Sequence, residues 1–363
     1  MFTKIAVLGL GRVGRLAAEL LGDSGFDVAG FDARPIAHTP FPVHAVDLTD
    51  AQAMRATLAG REAVLSCLPY AFNKEVATAA HALHLHYFDL TEDVATTKHI
   101  RILAETSKGI MAPQCGLAPG FIGIVGAHLA RQFKRVRSIR LRVGALPQHP
   151  TGLLGYAFNW SPEGVVNEYL NDCDVIEEGV LKTVSAMEWL ETVYVAGVRL
   201  EAFTTSGGLG TMCESFAGKV ENLDYKSLRY PGHASLMNFF FHELLMREDR
   251  AAAGKILTHA KPPVDDDVVF VHAAAEGWVE GRLGRKEFVR AYYPIEIKGK
   301  PRTAIAWTTA ASVAAVIEMA RSGALPSERF LKQEAIPLDR FLETRTGRLY
   351  AERAPSLSIG LEY

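Results

Sequence analysis

The sequence has few cysteines, almost no net charge and no long uninterrupted hydrophobic run. Its cysteines, Cys67, Cys115, Cys173 and Cys213, include no CxxC pair and no spacing typical of metal ligands. We therefore expect no metal site, and we expect a reduced, cytoplasmic protein. The formal net charge of −2 provides no electrostatic attraction for nucleic acid or for an acidic membrane surface.

The absence of a long apolar run also argues against a membrane protein. The most apolar stretch, residues 304–320, includes Thr308, Thr309, Ser312 and Glu318, and its small side chains suit close helix packing better than a membrane span. The chain starts with a predicted core strand rather than a signal peptide. A length of 363 residues with 48% hydrophobic and 22% charged residues is typical of a soluble protein of about two domains.

A dinucleotide-binding fingerprint opens the sequence. The apolar strand Lys4–Leu8 leads into a glycine-rich turn and then into an Ala/Leu-rich helix. In such a turn the first glycine permits a sharp bend, the second lets backbone N–H groups approach a pyrophosphate, and the third lets the helix lie close to the sheet. We expect the turn to bind the cofactor through Gly9, Gly11, Arg12, Val13 and Gly14.

The second strand determines which nicotinamide cofactor is expected. It ends at Asp32, at the distance from Gly14 typical of a carboxylate that holds the ribose hydroxyls of NAD and repels a 2′-phosphate. Arg34 follows two residues later. Its guanidinium is either a ligand for the 2′-phosphate of NADP or a solvated loop charge. We expect NAD, with NADP as the alternative.

Alternating short apolar strands and helices predict an α/β protein with a Rossmann-type, doubly wound parallel sheet over residues 1–124. Longer strands that alternate apolar with polar residues, such as 138–143 and 267–273, predict a second α+β domain with a largely antiparallel sheet over 125–300. Residues 301–363 are predicted to be a helix and tail that return to the first domain. The tail after Ala324 contains Pro326, Pro337 and Pro355 and suggests surface structure.

Residues that follow the strands of a doubly wound sheet face the ligand crevice. Cys67, Leu68 and Pro69 are therefore predicted cofactor contacts, although Cys67 is also compatible with a small buried core residue. Asp47 is expected either at the adenine or in a helix-start turn. Asp89 is either a catalytic carboxylate or a helix cap. Cys115 begins a rigid turn, Cys115–Gly120, and contacts cofactor or substrate unless this is only a crossing loop.

The second domain contains a run with an arginine, a tyrosine and a histidine. Arg229 is our candidate for holding a substrate carboxylate, because its planar guanidinium matches that anion in a bidentate way; a strand-end salt bridge is the alternative. Tyr230 and His233 add a hydroxyl and an imidazole that titrates near neutral pH. His233 is equally consistent with a solvated helix-start residue.

Four linked motifs resemble the saccharopine dehydrogenase family, which includes saccharopine reductases and lysine 6-dehydrogenases. They are the segments 116–120, 158–164, 201–208 and 226–233. The resemblance implies an NAD(P)-dependent oxidoreductase of lysine-related metabolism that oxidises the C–N bond of an amino-acid amine to an imine. It also implies that Arg229 meets the substrate carboxylate and that Asn159, Ser206 and Gly207 line the same pocket.

The resemblance leaves the substrate open. Ala118 is similar to the lysine 6-dehydrogenases, since saccharopine reductases tend to have an acidic residue there. The segment 160–162 is more similar to the reductases. Both saccharopine and the side-chain amine of L-lysine therefore stay candidate substrates.

Hydride transfer needs a general base to take the proton of the amine. The candidates in the sequence are Asp89, His233 and Lys74. Two rival functions lack catalysis: a regulatory module that senses NAD, and an inactive scaffold that binds nucleotide. An uncovered face of the antiparallel sheet would suit a homodimer.

Overall fold

The computed structural model describes residues 2–326 and 328–352. The first sheet contains β1 (Lys4–Leu8), β2 (Asp27–Asp32), β3 (Val43–Ala45), β4 (Ala63–Ser66), β5 (His86–Asp89) and β6 (Met111–Ala112), interleaved with α1 (Arg12–Asp23), α2 (Ala51–Leu58), α3 (Asn73–Ala82) and α4 (Val94–Ala104). The strands are parallel, in the order β3-β2-β1-β4-β5-β6. This order reverses between β1 and β4, which places the ligand crevice at the carboxyl ends of those two strands.

The central strands of this sheet are covered on both faces. The residues Ile5–Leu8 of β1 and Ala63–Ser66 of β4 are all buried, which explains their nearly unbroken apolar sequences. Asp50 starts α2 by accepting hydrogen bonds from the N–H groups of Gln52 (2.8 Å) and Ala53 (3.3 Å).

The second domain begins after the first sheet and is built around eight strands. Its elements are α5 (Phe121–Ala130), β7 (Arg135–Pro147), α6 (Pro162–Leu170), β8 (Cys173–Glu177), β9 (Val180–Val184), β10 (Glu191–Val195), β11 (Val198–Thr204), α7 (Met212–Phe216), β12 (Asn222–Arg229), α8 (His233–Asn238), α9 (Arg250–Ala260), β13 (Asp267–Val279) and β14 (Arg282–Tyr292). The main strand order is β10-β11-β12-β7-β13-β14, with β8 beside β12 and β9 beside β8. The β7–β12 pair is parallel and the other pairs are antiparallel. The expected fold class, a Rossmann sheet plus a largely antiparallel second sheet, is confirmed.

The C-terminal part returns to the first sheet. It contains β15 (Ile295–Ile297), β16 (Lys300–Arg302), α10 (Ala304–Ser322), α11 (Leu338–Glu343) and α12 (Arg348–Glu352). Helix α10 lies against α1, where Ser24 Oγ donates to Glu318 (2.5 Å) and Arg321 donates to the Ser24 carbonyl (2.6 Å). The described helices include none that is both long enough and apolar enough to cross a bilayer.

The tail after Ala324 differs from the surface structure that its prolines and mixed charge suggest. Leu331, Ile336, Phe341 and Tyr350 are buried in the main hydrophobic core. The Tyr350 ring stacks on Phe121 with centroids 3.9 Å apart. The apolar residues between the prolines outweigh the polar composition of this stretch, because together they fill a gap beside α5. Pro355 lies outside the described residues.

One continuous hydrophobic core connects the two domains. It runs from α1 through α5 to β7, β13 and α10. Both domains therefore contribute to one packed core, which supports the parts of the chain on either side of the crevice.

Candidate active site

The glycine-rich turn has the close contacts that its three glycines imply. Gly9 has φ +82°, in the left-handed region. A Cβ on Gly14 would lie 1.9 Å from the Gly9 carbonyl oxygen, so this position requires glycine. A Cβ on Gly11 would meet no atom within 4 Å and would stand in open space at the start of α1. That space is where an anion can approach the helix N-terminus.

Asp32 is already engaged by the backbone of this region. Its carboxylate accepts hydrogen bonds from the N–H groups of Leu10 (2.8 Å) and Arg34 (3.0 Å). The Arg34 guanidinium is 86% exposed, and its Nε lies 4.0 Å from an Asp32 oxygen. The arginine is therefore available to an anionic group at the end of β2.

A cavity of about 550 Å³ connects this turn to the second domain. From the first domain it is lined by Gly11, Arg12, Val13, Gly14, Cys67, Leu68 and Pro69, all predicted cofactor contacts. Its volume is in the range of small-molecule sites. Arg12 forms an ion pair with Asp265 of the second domain across 3.4 Å, and both side chains are exposed. Burial raises the pKa of the Cys67 thiol to about 12, so this cysteine is unsuited to thiolate chemistry.

Arg229 enters the cavity from the end of β12. Its side chain is only 3% exposed. Nε donates to the Tyr169 hydroxyl (2.6 Å), Nη1 donates to the Leu228 carbonyl (2.8 Å), and the Tyr156 ring centroid lies 4.7 Å from the guanidinium carbon. Among the described residues Arg229 has no ion-pair partner and Nη2 donates no hydrogen bond. A buried guanidinium with an open edge is therefore presented to the cavity.

Two carboxyl groups that the sequence analysis did not single out line the same cavity. Glu168, on α6, is 5% exposed, and Glu92, three residues after β5, is half-buried. No other described residue donates a hydrogen bond to either carboxyl group. Burial raises the pKa of Glu92 to about 7 and that of Glu168 to about 8, with Arg229 opposing the shift of Glu168.

Both glutamates left signals in the sequence. Glu92 follows a parallel strand closely, at the edge where ligands bind. Val165, Glu168 and Tyr169 are spaced i, i+3 and i+4, so Glu168 interrupts an apolar helix face, and a charged residue at such a position calls for an explanation.

Asp89 is at the end of β5 but does not reach the cavity. Its carboxylate accepts hydrogen bonds from the Tyr87 hydroxyl (2.6 Å) and from the N–H groups of Thr91 (3.0 Å) and Gln114 (2.9 Å). Burial raises its pKa to about 6, against these three hydrogen bonds. The side chain is fully buried and joins the loops that follow β5 and β6, so its place fits a positioning residue rather than a group that meets substrate.

His233 lies behind Arg229 rather than in the cavity. It is buried, Nε2 is 2.9 Å from the Tyr169 hydroxyl, and Nδ1 is 3.0 Å from the Leu154 carbonyl. Burial and the neighbouring Arg229 lower its pKa to about 3. The expectation of an accessible imidazole that titrates near neutral pH is therefore wrong, because both ring nitrogens have protein partners and the site excludes a second positive charge.

Other candidates also fall outside the main cavity: Gly9, Asp32 and Arg34 at the cofactor end, and Cys115, Tyr230, Lys74 and Asp47. The Cys115 thiol is fully buried and donates to the Ala112 carbonyl (3.2 Å). The Tyr230 hydroxyl donates to the Pro147 carbonyl (2.9 Å). Lys74 is half-buried on α3, and Asp47 is exposed, with its carboxylate bound by Thr49. Strand-end positions alone did not reveal that these side chains lie outside the cavity.

A second chamber of about 390 Å³ adjoins the main cavity. Glu92, Glu168 and Tyr225 line both. Ser206 and Gly207 line this side chamber, whereas Asn159 and Ala118 line the main cavity. The Asn159 side-chain oxygen accepts a hydrogen bond from the Val264 N–H (2.7 Å). The sequence-predicted pocket residues are therefore divided between two connected spaces.

Two family models match almost the whole chain. Residues 5–112 match the saccharopine dehydrogenase NADP binding domain, and residues 116–349 match the saccharopine dehydrogenase C-terminal domain. The resemblance drawn from the four motifs and the expectation of a nicotinamide cofactor are confirmed.

Curated relatives match over parts of their length. Saccharopine dehydrogenase [NADP(+), L-glutamate-forming] of Saccharomyces cerevisiae is 27% identical over 160 residues, which are 40% of this chain and 34% of that protein. The enzyme of the same name from Pyricularia oryzae is 24% identical over 208 residues, 53% of this chain and 46% of that protein. The matched segments thus span a third to a half of these relatives.

A solved structure agrees in fold over nearly the full length. The apo saccharopine dehydrogenase (L-Glu forming) of Saccharomyces cerevisiae has a TM-score of 0.75 and 16% identity, covering 97% of this chain and 98% of that chain. At this identity the similarity concerns the fold.

Proposed function

Because the chain belongs to the saccharopine dehydrogenase family, we propose that it oxidises the C–N bond of an amino-acid amine to an imine with a nicotinamide cofactor. The observation that carries this proposal is the buried Arg229, which has no ion-pair partner among the described residues and lines the same cavity as the glycine-rich turn. Such a cavity can hold a dinucleotide at one end and a carboxylate at the other, with the reacting carbon between them.

The residues of the turn fit the cofactor. The open space beside Gly11 leaves room for a pyrophosphate at the start of α1. We propose NADP rather than NAD, because residues 5–112 match a saccharopine dehydrogenase NADP binding domain and the exposed Arg34 guanidinium beside Asp32 can hold a 2′-phosphate against the repulsion of that carboxylate. When bound, the nicotinamide ring supplies a two-electron acceptor for hydride.

We propose that Arg229 binds the substrate carboxylate. Tyr169 and the Leu228 carbonyl hold the guanidinium in place through Nε and Nη1, so its open edge is oriented before the substrate arrives. Orientation in advance lowers the entropy that binding would otherwise lose.

We propose Glu92 as the general base in place of Asp89, His233 and Lys74. Oxidation of a CH–NH group removes a hydride from carbon and a proton from nitrogen and leaves a C=N bond. Glu92 lines the cavity beside the first-domain loops, and its raised pKa of about 7 suits proton transfer near neutral pH. Asp89 is the residue that holds the Glu92 loop in place, through the Thr91 N–H.

The substrate within the family is proposed as saccharopine, with the side-chain amine of L-lysine as the alternative. Ala118 lines the cavity and adds no charge there, which favours the lysine alternative. The cavity is also lined by Trp160, Ser161 and Pro162, the segment that is more similar to the saccharopine reductases. The residues that favour each of the two substrates therefore line the same cavity.

The proposal predicts a specific defect for Arg229→Ala. Loss of charged hydrogen bonds of about 1.5–3 kcal/mol should raise KM for the amino-acid amine roughly 10- to 150-fold. NADP reduction is followed by absorbance with saccharopine, L-lysine and carboxylated polyamines, and binding of NADP and NAD is titrated directly. Arg229→Lys keeps the charge and removes the planar fork, so it should recover only part of the loss.

The rival functions give different results in the same assay. An unchanged KM in Arg229→Ala with intact dinucleotide binding would remove the role of Arg229. Tight dinucleotide binding with no reduction by any amine would favour a regulatory module or scaffold over an enzyme.

A further inference from the structure

The side chamber next to the main cavity has a strongly one-sided charge. Its ionisable side chains are five carboxyl groups and one lysine, Lys98: Glu92, Asp93, Glu168, Asp172 and Asp174. Val94, Leu209 and Tyr225 supply apolar wall. In the described chain no group of three His, Cys, Asp or Glu side chains is placed to hold a metal ion. An organic cation with an alkyl portion fits this lining better than a metal ion.

Most of these carboxyl groups have a local structural explanation. Asp93 accepts a hydrogen bond from the Thr96 N–H (2.7 Å) and so begins α4. Asp174 accepts one from the Thr183 hydroxyl (3.2 Å). Asp172 is exposed to solvent. None of these three requires a ligand.

Glu168 has no such explanation. Only 5% of its surface is exposed. It lines both the main cavity and the side chamber, at the junction between them. No described residue donates a hydrogen bond to its carboxyl group or pairs with it, although Arg229 acts on it electrostatically. An unpartnered buried carboxyl group is costly in the free protein, and a cation in the chamber removes that cost.

Resting on the proposed function, we infer that Glu168 is a specificity residue that binds, in the side chamber, the second ammonium group that both candidate substrates carry besides the reacting nitrogen. Arg229 would then hold the carboxylate while Glu168 holds the ammonium. A substrate bound at both charged groups has one orientation in the cavity, which is a source of specificity for a doubly charged amino acid.

The charges around Glu168 support this assignment. Its pKa is raised to about 8, mainly by burial; Arg229 opposes this rise and the neighbouring Glu92 contributes to it. Tyr225, also at the junction, adds no positive charge. An ammonium group beside Glu168 would favour the ionised carboxylate, so the site gains its full charge when it is occupied.

The test is a thermodynamic cycle between Glu168 and each nitrogen of a diamino acid. Binding of L-lysine, L-norleucine and 6-aminohexanoate to the full chain is measured by calorimetry with saturating NADPH, which prevents amine oxidation. The two analogues each lack one nitrogen of lysine. We expect the analogue that lacks the nitrogen bound by Glu168 to bind the wild-type protein at least tenfold more weakly than L-lysine does.

Glu168→Gln should weaken L-lysine binding by a similar factor and leave the analogue that lacks the chamber nitrogen unchanged. Glu163→Gln is the matched control, because Glu163 lies on the same helix, is exposed and lines neither space. Equal effects of Glu168→Gln on lysine and both analogues, no effect on any of them, or no lysine binding to the wild type would overturn the inference.

A parallel turnover assay with NADP separates this inference from the proposed function. Coupling between Glu168 and one nitrogen without any amine oxidation would retain the ammonium site and reject the oxidation. Amine oxidation without such coupling would retain the proposed oxidation and reject the ammonium site.

Discussion

Three buried or half-buried carboxyl groups near the crevice differ in what surrounds them. Asp89 has three hydrogen-bond donors, and burial raises its pKa to about 6. The carboxyl groups of Glu92 and Glu168 accept no hydrogen bond from any other described residue, and burial raises their pKa values to about 7 and about 8. A carboxyl group that accepts several hydrogen bonds from the protein can hold loops together. A carboxyl group that faces a cavity without such partners is available to a ligand or to a proton.

Glu92→Gln should abolish the acid limb of the pH profile for amine oxidation. Only the ionised carboxylate accepts a proton, so wild-type kcat/KM should rise with pH through about 7, the raised pKa of Glu92. Removal of a general base costs about 10²- to 10⁴-fold in rate. Steady-state kinetics at pH values on both sides of that pKa measure both effects.

Lys74→Met is the matched control, since Lys74 lies outside the cavity. It should leave the profile unchanged. The assignment of Glu92 is wrong if Lys74→Met removes activity and Glu92→Gln retains the acid limb.

At the scale of elements, the start of α1 shows how one motif combines different constraints. Gly14 is required by packing, since its Cβ would overlap the Gly9 carbonyl, and Gly11 is not, since its Cβ would face open space. The fingerprint predicts these two roles separately. The surroundings of each Cβ agree with them, with tight packing at Gly14 and open space at Gly11.

Gly14→Ala and Gly11→Ala should therefore fail in different ways. Gly14→Ala should destabilise the protein by about 1–3 kcal/mol through overpacking, seen as a lower Tm. Gly11→Ala should fold normally but weaken dinucleotide binding, by about tenfold for each 1.4 kcal/mol of lost interaction. Thermal denaturation and a fluorescence titration with NADP measure the two properties.

Gly22→Ala provides the control within the same helix, because a Cβ there also meets nothing within 4 Å and lies away from the cavity. It should keep full dinucleotide affinity. Equal loss of affinity in Gly11→Ala and Gly22→Ala would count against a pyrophosphate beside Gly11.

At the scale of the whole molecule, the buried carboxyl groups connect the site to stability. A carboxyl group whose pKa rises on folding keeps its proton in the folded state after the unfolded chain has lost it. Stability then falls as pH rises from the unfolded to the folded pKa. His86, His233 and His272, whose pKa values are lowered mainly by burial, act in the opposite direction below their ordinary pKa of 6.5.

The contribution of Glu168 should therefore be visible above pH 6.5, where those histidines have lost most of their influence. Between this pH and its folded pKa of about 8, the wild type should lose up to about 2 kcal/mol that Glu168→Gln does not lose. Urea denaturation of both proteins across this range measures the difference. Identical pH dependence would show that Glu168 titrates normally.

The size of the assembly and its location stay predictions. The second sheet suggested a homodimer, and sedimentation of the full chain, with a monomer mass of 39.6 kDa, distinguishes one copy from two. The cysteine pattern suggested a cytoplasmic protein, and fractionation of cells tests that expectation.

The sequence by itself determined the Rossmann fold class, the nicotinamide cofactor and the family. These depend on local spacing: glycines around one turn, strand and helix periods, and short motifs whose residues stay close along the chain. The motif and chemistry of Arg229 also single it out in the sequence, and the structure places it in the cavity that Gly11 lines; its role in substrate binding stays a prediction.

Only the tertiary structure decided which neighbours of these motifs face the cavity. Asp89 and His233 have suitable chemistry, but folding surrounds them with protein partners. Glu92 and Glu168 come from different domains and meet at the junction of two spaces. Burial, free hydrogen-bonding capacity and pKa arise from atoms far apart in the chain, so they exist only once those atoms are packed together.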